Sequence, residues 1–186
     1  MVVAAMLQNP SVIKWLGGLE PAWKLLDIDS FSGLREPPSP NGGAIQLVAD
    51  LSELELLDSP LTRCALLFLK AASKTPGLKL TATGNLSRTV VADMRETFDW
   101  PDFYNEGCFE LPEAINEPDF LALFFIRHVA QFAKLVHRRK GYMRTTKAGR
   151  SLIEQQNALH AVLFHTAFWH MDLGDLGRGL HSGWPQ

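Results

Sequence analysis

Apolar positions fall at helical spacing over most of the second half of the chain. Leu61, Cys64, Ala65, Phe68, Leu69 and Ala72 form one stripe, which predicts a helix from a Ser59 cap and Pro60 to about Ser73. Pro76-Gly77 stops it, and Leu78-Lys79-Leu80 reads as a short strand. Thr81 starts a turn relaxed by Gly84, and Ser87 caps a helix to about Phe98 with Val90, Val91, Met94 and Phe98 inside. The most apolar stretch predicts a central helix from about Pro118 to Val136, capped by Asn116. It holds Phe120, Leu121, Leu123, Phe124, Phe125, Ile126, Val129, Phe132, Leu135 and Val136, which occupy several faces. Phe124, Ile126 and Phe132 are therefore expected to be nearly fully buried. Only Arg127, Gln131, Lys134 and Arg138 make a polar stripe on it.

Residues 135–145 read as a hairpin with Gly141 at its tip, and Leu78–Leu80 is expected to pair with one of its arms. Thr146 caps a helix to about Gln156. Asn157 caps a last one, with Leu159, Val162, Leu163, Phe164, Ala167 and Phe168 as its apolar side. The order helix, strand, helix, helix, hairpin is that of a winged helix. The expected fold class is mainly α: a winged-helix-like domain with a small β-ribbon, flanked by N-terminal and C-terminal helices. Residues 1–43 read as a helical appendage and Pro/Gly linker, residues 44–170 as the winged-helix-like domain, and residues 171–186 as a Gly-rich tail. Within the linker, Asp27 to Gly43, the run Glu36-Pro37-Pro38-Ser39-Pro40 sustains no helix. Ala44 to Asp50 alternates imperfectly and is a candidate strand. Asp99 to Glu117 is a long acidic and aromatic connection.

Composition narrows the function classes. The chain has 186 residues, 46% of them hydrophobic, enough for a sizeable core. A net charge of −2 gives no global attraction to nucleic acid or membrane, so any electrostatic binding must come from local clustering. Cys64 and Cys108 are expected as reduced, mostly buried thiols. No window approaches a membrane span, and a cytoplasmic protein is expected.

No Walker A loop, GxGxxG, GxSxG, HExxH or CxxC pattern is present. His160, His165 and His170 recur every five residues, which turns each about 140° from the last on an α-helix and makes no ligand face. No catalytic residue, metal or cofactor is expected. The asymmetric feature is the acid-free run 134–150. With the polar stripe of the central helix it supplies the candidate nucleic-acid-binding residues Arg127, Gln131, Lys134, Arg138, Arg139, Lys140, Arg144, Lys147 and Arg150. In a winged helix these positions meet phosphates. The expected function is a non-catalytic module that binds DNA or RNA backbone through this hairpin. The alternative is a protein-interaction or self-association domain with apolar termini as contact surfaces.

Leu80-Thr81-x-x-Gly84-Asn85-Leu86, followed by Thr145-Thr146-x-x-Gly149-Arg150-x-Leu152, resembles the helical, winged-helix-like region of bacterial plasmid pRiA4b ORF-3-like proteins. The resemblance covers roughly Ser59 to Trp169. Members often carry proline after the first motif's leucine, where Ser87 stands here. The resemblance implies a fold and no catalytic residues. It also implies a shortened member or a fragment, because longer members continue past a point like Trp184-Pro185-Gln186.

Overall fold

A computed structural model describes residues 28–34, 36, 37, 45, 48, 50–100 and 115–171. The chain divides into two units, Met1–Gln46 and Leu47–Gln186. The helices expected between Pro10 and Leu26, most of the acidic connection and all of the Gly-rich tail but Met171 lie outside the described residues. In the first unit, helix α1 (Ile28–Gly33) occupies the start of the expected linker, with Asp29 in its first turn. At positions 45, 48 and 50, the described part of the segment expected as a strand, the backbone is not extended into a sheet. Val48 is exposed, which fits the imperfect alternation there.

The second unit is mainly α with a small antiparallel sheet. Its first helix, α2 (Glu53–Asp58), opens on a capping box: Ser52 and Glu55 exchange side-chain and backbone hydrogen bonds. Hydrophobic periodicity passes over this short helix, although Ser52-x-x-Glu55 is its signature. Helix α3 (Pro60–Ser73) has the expected bounds, and the Ser59 hydroxyl accepts from the Thr62 amide at 3.3 Å. Its stripe of Cys64, Ala65, Phe68, Leu69 and Ala72 is buried. This helix is the hub of the unit, because the helix before it, three of the later helices and the third strand pack against it.

Strand β1 (Leu78–Lys79) is followed by helix α4 (Arg88–Thr97), a one-turn 3₁₀ segment (Glu117–Asp119) and helix α5 (Leu121–Phe132). Strands β2 (Val136–Arg139) and β3 (Tyr142–Thr145) form the hairpin. The sheet order is β1-β3-β2, and Leu78 pairs with Met143 as the expected ladder requires. Lys140 and Gly141, at φ 49° and 76°, make the two-residue turn, both in the left-handed region that type I′ demands. Helices α6 (Lys147–Ile153) and α7 (Gln156–His165) follow, and a π turn covers Thr166–His170.

The two Thr-x-x-Gly motifs do different work. In the first, the Gly84 amide donates to the Thr81 carbonyl at 2.9 Å, and Gly84 takes φ 84°. In the second, the Thr146 hydroxyl caps α6 by accepting from the Gly149 amide at 3.0 Å. The hydroxyl of Thr146 also donates to the Lys134 carbonyl at 2.9 Å, tying α6 to the end of α5.

Helix α5 is shorter than the apolar pattern predicts. Lys134 takes φ 56°, and the Leu135 amide donates back to the Ala130 carbonyl at 2.8 Å. This left-handed cap ends the helix. Val136 is therefore the first residue of β2. Ile126 is fully buried as expected, but Phe124 is only half-buried and Phe132 is 54% exposed. Phe132 lies on the outer side of the last turn, whose inner side, Val129 and Ala130, is fully buried. Asn157 is no cap either. It stands inside α7, donates to the Leu51 carbonyl at 3.2 Å and accepts from the Leu51 amide at 3.0 Å.

Candidate functional site

Side chains of the sheet alternate between its two faces, although on β2 only Val136 is buried. Cross-strand pairs Leu78–Met143 and Val136–Thr145 are buried and close the core. The intervening rows, Lys79–Tyr142–Arg139 and Arg144–His137, face away from it. Basic residues adjacent in sequence are thereby separated in space. Arg139 belongs to the outer face. Arg138, paired with Met143, lies against Gly84 on the other side.

Beside the outer face lies a groove of about 250 Å³, whose charged or titratable walls are Lys74, His137, Arg139, Arg144, Lys147 and Arg150. No carboxylate lines it, and none of these six has an ion-pair partner among the described residues. The groove has a fixed frame. Arg144 Nε donates to the Pro76 carbonyl at 2.7 Å, and Arg150 Nη1 donates to the Thr145 carbonyl at 3.0 Å. Gly77, at φ 104°, allows that approach: a Cβ there would sit 2.6 Å from the Met143 carbonyl oxygen and 2.8 Å from Arg144 Cγ.

Of the nine candidate residues, the structure brings Arg139, Arg144, Lys147 and Arg150 together. Lys140 stands at the exposed hairpin tip, and Lys134 is exposed at the end of α5. Arg127 does not belong to any exposed stripe. It is 1% exposed, forms an ion pair with buried Glu117, and donates to the Gly84 carbonyl at 3.0 Å. Gln131 accepts from Arg127 Nε at 2.9 Å and serves that buried network. The expected helical stripe dissolves because α5 ends before Lys134, and Arg138 is a strand residue.

Lys74, His137, Lys79 and Tyr142 were missed by sequence reasoning as site residues. The period-two pattern His137/Arg139 and Tyr142/Arg144 was the available signal for the hairpin members. Nothing local marks Lys74 or Lys79.

A second hollow of about 500 Å³ is lined by Thr81, Thr83, Asn85, Arg88, Asn116 and Asp119, with buried Glu117 at its edge. Its charge is mixed. Arg88 Nε donates to Asn116 Oδ1 at 3.1 Å, so its cation is already engaged.

The histidines of the C-terminal helix differ from the sequence expectation at one point. The wider π turn brings the rings of His165 and His170 within 4.6 Å of each other, where an α-helix would hold them about 140° apart. His160 contacts the Thr62 hydroxyl through Nδ1 at 2.7 Å, and burial lowers its pKa. Burial pushes the Cys64 thiol up to about 11, against a weaker opposing pull from Arg63, so it is no nucleophile at neutral pH. Among the described residues no group of three or more His, Cys, Asp or Glu side chains is placed to share a metal ion. None of their helices is long and apolar enough to cross a membrane.

The region that builds the groove also carries the likeness to known proteins. The chain is similar to "Uncharacterized protein y4jL" of Sinorhizobium fredii (strain NBRC 101917 / NGR234), at 29% identity over 114 residues, 61% of this chain and 51% of that protein. The chain thus matches about half the length of that relative. No solved structure matches. The family described as Y4jL N-terminal domain matches residues 57–158, from α2 through the sheet into α7 and more than half of the 186 residues, and the chain belongs to that family.

Proposed function

We propose that this chain is a non-catalytic, winged-helix-like module that holds nucleic-acid backbone in the groove between the outer sheet face and α6. The observation that carries the reading is the groove's single sign of charge in a chain whose net charge is −2. Cations gathered without counter-charges keep a local positive potential, and binding a polyanion there releases its condensed counterions. The buried state of Arg127 and the engagement of Gln131 favour phosphate contacts over base reading, because α5 offers few free polar side chains for base edges. A cytoplasmic setting belongs to this reading. So does the likeness to pRiA4b ORF-3-like proteins, which rests on the sequence of the two Thr-x-x-Gly motifs.

The test is a fluorescence anisotropy titration at low salt. Arg139→Glu with Lys147→Glu should weaken binding similarly on every sequence and flatten the salt dependence. Arg138→Glu, on the other side of the ribbon, should do much less.

A second reading is supported by exposed apolar side chains: Leu54 and Leu57 on α2, Phe132 at the end of α5, and Phe168 in the π turn. Such side chains mark a protein-interaction or assembly surface where they join into one contiguous patch. A folded sample that binds no DNA or RNA would favour it.

A further inference from the structure

We infer that the nucleic acid this module takes is single-stranded, with one base stacked on Tyr142 and the flanking phosphates held by the surrounding cations. The inference rests on the nucleic-acid reading above and adds the strandedness and the aromatic contact.

Tyr142 is the one Phe, Tyr or Trp of the three-stranded sheet, and it sits on the central strand. Its cross-strand neighbours are Lys79 on β1 and Arg139 on β2. Adjacent strands lie about 4.8 Å apart, so the Lys79 and Arg139 side chains leave the backbone on either side of the tyrosine at roughly that spacing. Two residues along β3, the Arg144 guanidinium carbon lies over one face of the ring, 6.0 Å from its centre and anchored through Nε to the Pro76 carbonyl, so a base would take the other face. His137 pairs with Arg144 and continues the face toward the groove. The outer sheet face is therefore one ring with cations on three sides, and it runs without interruption into a positive groove.

A surface of this composition suits an unpaired strand. Bases in a duplex have their faces covered by neighbouring base pairs, so a ring standing on a sheet finds nothing to stack against. An unpaired strand exposes those faces, and every base has one, so the contact tolerates sequence. Reading bases in a duplex groove with a helix would ask for free polar side chains on that helix. Here the best-placed residue of α5, Arg127, is consumed by Glu117 and the Gly84 carbonyl.

The experiment compares labelled 12-nucleotide single-stranded RNA, single-stranded DNA and the matching duplexes at one salt concentration. The full chain is titrated as wild type, Tyr142→Leu and Tyr142→Phe, with circular dichroism to show that each is folded. Leucine keeps apolar bulk in the strand and removes the ring face. Both single strands should bind about tenfold more tightly than the duplexes. Tyr142→Leu should lose roughly that factor on single strands and nothing on duplexes, while Tyr142→Phe binds like wild type. Duplexes binding as tightly as single strands would overturn the inference and leave the backbone-binding reading standing. The same holds for a folded Tyr142→Leu with unchanged single-strand affinity. Absence of binding to all four probes would remove the backbone-binding reading itself.

Discussion

Arg127 and Glu117 form an ion pair with both side chains shut off from solvent, 2% and 0% exposed. One carboxylate oxygen, Oε2, accepts from Arg127 Nη1 and from the Leu86 amide at 2.5 Å. The pair therefore fastens α5 to the Leu80–Leu86 turn and to the segment entering α5. Removing one member leaves the other charged and dry. Arg127→Met should cost roughly 3–5 kcal/mol in a urea denaturation experiment, as for other broken buried pairs. A loss under about 1 kcal/mol would show that water reaches Glu117 in solution.

The two sides of α5 should respond very differently to truncation. Leu123 is fully buried, whereas Phe132 is 54% exposed. Leu123→Ala should cost about 2–5 kcal/mol, since it leaves a cavity in the packed core. Phe132→Ala should stay within about 0.5 kcal/mol, as a surface change does. Comparable losses at both sites would mean that Phe132 is covered in solution, as an assembly interface would cover it.

Gly149→Ala reverses the usual helix preference. In an exposed helix interior alanine is favoured over glycine by about 1 kcal/mol. At Gly149 an added Cβ would run into the Leu135 carbonyl oxygen, a backbone atom fixed by its bond from the Thr146 amide. The variant should be less stable than wild type by about 1–3 kcal/mol, the usual range for overpacking. Equal or raised thermal stability would contradict the close approach of α6 to the start of β2.

His160 should give stability a defined pH dependence. Burial lowers its pKa in the folded state, while the unfolded chain titrates near the ordinary value of about 6.5. The unfolded state therefore binds more protons as the pH falls through that value. The contribution is fully present above about pH 6.5 and declines below it, until the folded-state pKa is passed. Melting temperatures from pH 8 to pH 5 should show this decline, and His160→Gln should reduce it. An unchanged profile in the variant would assign the slope to other groups.

Cys64 should resist modification. With its thiol pushed up to about 11 and its side chain buried, a Cys108→Ser variant should react with a thiol reagent at pH 8 only after denaturation. Prompt native-state labelling would mean that α3 opens readily.

The helical stripe of α3, the Ser59 and Thr146 caps, the Gly84 turn and the hairpin tip were all legible in the sequence. Each is decided by residues within a few positions of one another. Local hydrogen bonds and side-chain periodicity are properties of short segments. The pairing of the Leu78–Leu80 segment with one arm of the hairpin was also legible, because a winged-helix order needs a three-stranded ribbon to close its core; which arm, and the Leu78–Met143 register, came from the structure. The candidate site was half legible. The charges of 134–150 were plain, but their division between two faces depended on where α5 ends. Apolar residues on both sides of Lys134 concealed that end, and only the left-handed turn there started the strand register that puts Arg139 outward and Arg138 against Gly84. Tertiary structure alone decided the fate of Arg127. Its partners, Glu117 and the Gly84 carbonyl, lie 10 and 43 residues away. A charged side chain on an apolar helix reads as exposed until a distant carboxylate and carbonyl are folded onto it.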